Sequence, residues 1–162
     1  MSNKLSPLTL AIFKAKYQPV ELAHQKEFKR LTIDELWERY ECVQREKGKS
    51  EKAIQESRFF VELLQELTKA TYIDEINYEG ALNYKRGLSV YPKNRKVINE
   101  LANTTGYNAI YLAHELGLNT ISKSRCLKIL QGNSSFAKFA MKMDQVSKNV
   151  FSGLMTKRGC ER

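Results

Sequence analysis

Thr32-Ile-Asp-Glu-Leu-Trp-Glu-Arg-Tyr-Glu-Cys-Val43 is the stretch from which the fold class is read. Its first four residues form a capping box: the Thr32 hydroxyl accepts from the backbone N–H three residues on, and Glu35 reaches back to the cap. Behind the box Ile33, Leu36, Trp37, Tyr40 and Val43 recur at helical spacing as one apolar stripe. Gly48 supplies the stop. Asp34 and Glu35 fall in the first turn, where carboxylates complement the helix dipole. Glu38, Arg39, Glu41 and Arg45 read as a solvated face.

Downstream, Ser50 caps a second helix whose buried side is Ala53, Ile54, Ser57, Phe60, Val61, Leu64 and Leu67. A third runs from Asn77, as cap, to about Val90, where Pro92 forbids continuation. Ala81, Leu82 and Leu88 are its apolar positions, and Gly80 and Gly87 weaken it. Between Pro92 and Thr120 the pattern loosens into short helical pieces, Val97 to Ala102 and Tyr107 to Leu116, punctuated by Gly106 and Gly117. A last long helix starts near Ser122 and reaches about Met143. Leu127, Leu130, Ser134, Ala137 and Met141 line one side of it, and Ile129, Phe136 and Ala140 a second, as in a helix wedged between others. Gly132 costs this helix about 1 kcal/mol in propensity.

Upstream, residues 5–17 read as a short helix with Pro7 near its first turn, interrupted by Pro19. Residues 18–30 read as a basic connecting arm. No run of alternating β-branched residues exceeds four, and no segment repeats. The expected fold is all-α.

Composition narrows the function. A chain of 162 residues with 42% hydrophobic content can build one domain of ordinary size or two very small ones. Nothing approaches a membrane-spanning apolar run, and the N-terminus carries no secretory pattern. Cys42, Cys126 and Cys160 are odd in number and widely spaced, which argues against a disulfide framework or zinc site and for a reducing cytoplasm. The formal charge of +9 is unevenly spread. Residues 1–30 carry six basic and two acidic side chains, residues 31–80 seven and twelve, and residues 81–162 fourteen and four. Such asymmetry points to a polyanion as partner.

Catalytic signatures are absent: no HExxH, Walker loop, G-x-S-x-G or GxGxxG occurs. His24 and His114 each stand alone. No cofactor, metal or small-molecule substrate is implied. What is present suits phosphate contact, which needs cations beside short polar groups at a helix entry. Ser122, Lys123, Ser124, Arg125 and Lys128 fall within two turns at the start of the last helix, whose unpaired N–H groups also favour a phosphate. Lys49, Ser50, Lys52 and Gln55 lie at the head of the second helix. Lys93, Arg95 and Lys96 follow directly on a helix stop, as a phosphate clamp.

The order of these pieces resembles a known family. A capped helix precedes a Lys-Ser-headed helix; Ile73-Asp-Glu-Ile-Asn precedes a third that closes in Tyr91-Pro-Lys-Asn-Arg-Lys96. Then come Ile121-Ser-Lys-Ser-Arg-Cys-Leu-Lys-Ile-Leu130, Phe136-Ala-Lys-Phe-Ala140 and Asn149-Val-Phe-Ser-Gly-Leu154. This is similar to the N-terminal core-binding domain of phage integrases, the tyrosine site-specific recombinases, over roughly residues 31–156. Val150 stands where that family usually has Pro, Ser124 or Arg125 where a Thr is usual, and residues 97–119 are longer than in its simplest members.

The resemblance implies a SAM-like four-helix bundle, with extra short helices and an N-terminal helical arm, that clamps double-stranded DNA at a recombination core site. It implies that the second and last helices lie against the major groove, through the two helix-head clusters named above. Residues 157–162 would begin a linker to a catalytic domain, so the chain reads as a fragment, monomeric alone and meeting other recombinase protomers on DNA. The family's arginines, His-x-x-Arg pair and nucleophilic tyrosine find no match here, so no catalytic residue is assigned. Two other readings stay open: a dimeric helix-turn-helix regulator with Asn103 to Leu130 as its motif, and a basic module for an acidic protein partner.

Overall fold

The computed structural model describes residues 6–8 and 28–155 of the chain. It divides the chain into two units, 1–30 and 31–162. The helix expected at 5–17, beyond Ser6–Leu8, lies outside the described residues, as do the arm up to residue 27 and the linker expected at 157–162.

Among the described residues the second unit holds five α-helices: α1 (Ile33–Glu46), α2 (Glu51–Thr68), α3 (Tyr78–Ser89), α4 (Gly106–Glu115) and α5 (Lys123–Lys142). Single 3₁₀ turns stand at Ile73–Glu75, Arg95–Val97, Asn99–Leu101 and Ser152–Leu154. No strand occurs among these residues, only one isolated antiparallel bridge. The all-α expectation agrees with this architecture.

Four of the five helices begin at a side-chain cap, α4 being the exception. The Thr32 box is complete: Glu35 N–H donates to Thr32 Oγ1 at 3.1 Å, and Thr32 N–H donates to Glu35 Oε2 at 2.9 Å. Ser50, Asn77 and Ser122 likewise accept from backbone N–H groups three residues on. Gly48, at φ 75°, turns the chain out of α1 through a conformation that other residues resist.

Helix α2 is the hub, packing on α1, α3, α4 and α5. It buries Ile54, Phe60, Val61, Leu63, Leu64 and Leu67, a band wider than one stripe. Trp37 and Tyr40 of α1 meet Phe136 of α5 at ring-centroid distances of 6.2 and 5.4 Å. Gly132 lies where α5 crosses α2: a Cβ there would come within 2.3 Å of Phe60 Cδ2. The helix accepts a weak former because only a bare backbone fits against that ring.

Within α5, Asn133 is fully buried and donates from Nδ2 to Tyr84 Oη of α3 at 2.6 Å. Burial pushes the Tyr84 phenol well above its ordinary range. The end of the described chain packs back as well. Asn149 Nδ2 donates to Ser134 Oγ at 2.8 Å, while Phe151 and Leu154 enter the core. Gln145 Oε1 accepts from Leu31 N–H at 2.7 Å, tying the two ends of the bundle together.

Candidate nucleic-acid interface

The loop from α3 to α5 brings distant basic residues together. Tyr91 C=O accepts from Ile121 N–H at 2.9 Å, and Lys93 N–H donates to Asn119 C=O at 2.8 Å. These bonds make the antiparallel bridge of Pro92 with Thr120. The bridge places the segment that starts at Lys93 beside the segment that leads into Ser122. Two clusters separated by about a helix and a half in sequence thus become neighbours.

Between them lies a hollow of about 660 Å³, open to solvent along one side. Lys93, Arg95, Lys96, Ser122 and Arg125 stand around it; Phe59, Leu63 and Ile129 are among its apolar lining. No carboxylate is among its described lining residues. Lys93, Lys96, Ser122, Lys123 and Ser124 are exposed. Ser122 and Ser124 hydroxyls are in hydrogen-bond contact at 3.1 Å. The Lys96 ammonium sits over the Phe59 ring, 5.2 Å from its centroid.

Helix α2 meets this head of α5 through Glu56. Its Oε1 accepts from Arg125 Nη1 at 2.6 Å and from Lys128 Nζ at 3.0 Å. The Arg125 guanidinium also lies 5.2 Å from the Phe60 ring centroid, so its plane is held from two directions. Hydrogen bonds from Arg125 and then Lys128 keep the Glu56 carboxyl below its usual range. Glu56 is the residue that sequence reasoning missed. Its one visible signal was an acid one position beyond Gln55, on a helix head otherwise read for its cations.

The third cluster is set apart from the hollow. Lys49, Ser50, Lys52 and Gln55 are exposed at the head of α2, and none of them lines it. Arg45 braces that head, donating to Glu51 at 2.6 Å and to Glu41 at 2.9 Å. The arginine depresses the Glu51 carboxyl. Ser50 Oγ is occupied as a cap at 3.2 Å. The link between the two helix heads therefore runs through Glu56, one position past Gln55.

Arg95 differs from the phosphate contact expected of it. Its side chain is only 15% exposed and lies 3.5 Å from Glu66 Oε1. It donates to Thr104 C=O. The same carboxylate accepts from Gly106 N–H at 2.7 Å and from Tyr91 Oη–H at 3.3 Å. A planar fork with several donors suits such a junction, and it faces inward. The arginine fastens the loop to α2, leaving Lys93 and Lys96 as that segment's exposed cations.

Helix α4 packs on α2, and seven residues separate it from α5. A helix-turn-helix joins its two helices by a turn of about three or four residues, so this geometry does not favour that motif. No described helix is long and apolar enough to cross a membrane. No three His, Cys, Asp or Glu among the described residues converge as a metal-ligand group. The chain matches no protein-family model, no curated protein and no solved structure.

Proposed function

We propose that residues 31–155 form a non-catalytic domain that grips duplex DNA, the SAM-like core-binding jaw of an integrase-type tyrosine recombinase. One observation carries the reading: the Pro92–Thr120 bridge sets Lys93 and Lys96 beside the capped, cationic start of α5. Phosphates are recognised by such a pairing of a helix N-terminus with flanking lysines. The order of helices and phrases that resembles the integrase domain supports the finer identification. Its closing phrase, Asn149 to Leu154, docks on the bundle as a structural element. The proposed role is to hold DNA while catalytic groups of that family, unmatched in this sequence, act elsewhere.

Lys49, Lys52, Lys93, Lys96 and Lys123 are the exposed cations of the three clusters that no described carboxylate holds by a hydrogen bond. If all five meet phosphates, log K should fall with log salt at a slope of roughly −4.5. Fluorescence anisotropy of labelled duplex against the full chain, from low to physiological salt, measures it. The double variant Lys123→Glu with Arg125→Glu should lower affinity by at least about tenfold at low salt. Unchanged affinity in that variant, or no duplex binding at low salt by the parent chain, would sink the proposal.

A further inference from the structure

Phosphate contact leaves one part of the hollow unexplained. A duplex presents charge to a basic rim but has no apolar body to cover the accessible apolar lining of Phe59, Val97 and Ile121, Leu63 and Ile129 being already buried. Val97, 78% exposed, stands at the edge of the same hollow, with no carboxylate among the described lining residues. Its volume of about 660 Å³ falls in the range that encloses a compact apolar group. The open side lets a chain enter and leave.

We propose that this hollow docks an acidic, amphipathic segment of a partner protein. One or two of the segment's apolar side chains lie against Phe59, Val97 and Ile121. Its carboxylates face Lys93, Lys96 and Arg125 on the rim. Charge complementarity selects this occupant: Lys93 and Lys96 stand exposed on the rim with Arg125, shared with Glu56, beside them, and no carboxylate is among the described lining residues. Anchors in a pocket with charges around them are the usual plan of peptide recognition in a groove. The Lys96–Phe59 contact marks where an incoming side chain would first exchange with a residue of the rim. This inference stands without the DNA reading, although both use Lys93, Lys96 and Arg125, so a bound segment and a bound duplex would exclude one another.

The test uses the full chain without DNA. Its probe is a fluorescein-labelled peptide of about a dozen residues in which two leucines alternate with Asp and Glu. Two controls accompany it: one with Asn and Gln for the acids, the other with Ser for the leucines. Anisotropy should give the parent peptide an affinity about tenfold tighter than either control, because charge and anchor are both needed. Val97→Ser, a surface change without a charge, should weaken the parent peptide roughly threefold by removing an apolar contact. The methyl NMR signals of Val97, Ile121 and Ile129 should shift on titration. Equal binding by the serine control would reduce the effect to non-specific charge and overturn the proposal. Tighter binding of a ten-nucleotide thymidine oligomer would assign the apolar lining to stacked bases and overturn it too. Methyl signals left in place while the peptide binds would move the site elsewhere.

Discussion

Of the four carboxylates on helix α2 that engage an arginine, Glu66 near its end and Glu56 near its start have surroundings that give them opposite uses. At Glu66 the partners are 15% and 17% exposed, and four groups converge: Arg95, Tyr91, Gly106 N–H and, through Arg95, the Thr104 carbonyl. At Glu56 the carboxylate is 32% exposed and its partners Arg125 and Lys128 are 36% and 57% exposed. Water screens the second junction and hardly reaches the first. The same pair of residue types is therefore a rivet in one place and an exchangeable contact in the other. A phosphate arriving at α5 can compete with Glu56, while Glu66 and Arg95 are largely shielded from outside ligands.

Removing the charge at the buried junction should have the largest effect. Glu66→Gln leaves the Arg95 guanidinium almost enclosed with its counter-charge gone, and should cost about 2–3 kcal/mol of stability. Urea unfolding followed by circular dichroism measures it. Duplex affinity, taken where the variant is still folded, should hold within about twofold, since Arg95 faces inward. A loss below about 1 kcal/mol would put the two junctions in one class and remove the contrast.

Between the two carboxylates α2 crosses α5 at Phe60 and Gly132, and here local and tertiary physics disagree in sign. Helix propensity says that Gly132→Ala should stabilise α5 by about 1 kcal/mol. The structure says that the added Cβ meets the Phe60 ring at 2.3 Å, so the change should instead cost about 1–2 kcal/mol through overpacking. It should also disturb Arg125, which rests on the same ring. A thermal melt that rises on this substitution would show that the crossing yields easily.

That conflict marks the boundary of what sequence could disclose. Helix limits were legible because capping is local: Thr32, Ser50, Asn77 and Ser122 each meet an N–H three residues on. The wedged character of α5 was legible too, and it buries Ile129, Leu130, Phe136, Ala137 and Ala140. Met141, expected on the same buried side as Leu130, is instead 38% exposed near the helix end. The partners of the charged groups were hidden. Glu56 finds Arg125 across 69 residues and Lys128 across 72, and no spacing rule connects them. Arg95 lies in a run of cations that looked uniformly solvated, yet Glu66 draws it inward while Lys93 and Lys96 remain outside.

Alkaline pH probes the buried junction more gently. Burial, reinforced by the Glu66 charge, pushes the Tyr91 phenol up to about 12. An unfolded tyrosine releases its proton near pH 10, roughly the model-peptide value. The native state keeps its proton through that interval, so stability present below pH ~10 should be lost as pH rises toward about 12. Tyr84, raised by burial, contributes with the same sign. Melting temperature followed from pH ~9 to ~12 should fall less steeply in Tyr91→Phe than in the parent chain. Parallel curves would place Tyr91 outside the linkage.

The exposed junction should yield the smallest change and the one that bears most directly on binding. Glu56→Gln releases Arg125 and Lys128 from a shared oxygen, and exposed pairs of this kind add at most about 1 kcal/mol, so folding should be nearly unaffected. If the duplex is the ligand, the freed cations should raise affinity about threefold and steepen the salt slope by roughly one. Acid should mimic the substitution. Glu56 titrates below the usual carboxylate range, so its hold on the two cations is present above that range and is lost as pH falls through the depressed value. The affinities of parent and variant should therefore converge at low pH. A weaker-binding Glu56→Gln would reverse the assignment: the carboxylate would then be aiming Arg125 at the phosphate, with the Phe60 ring too weak a support on its own.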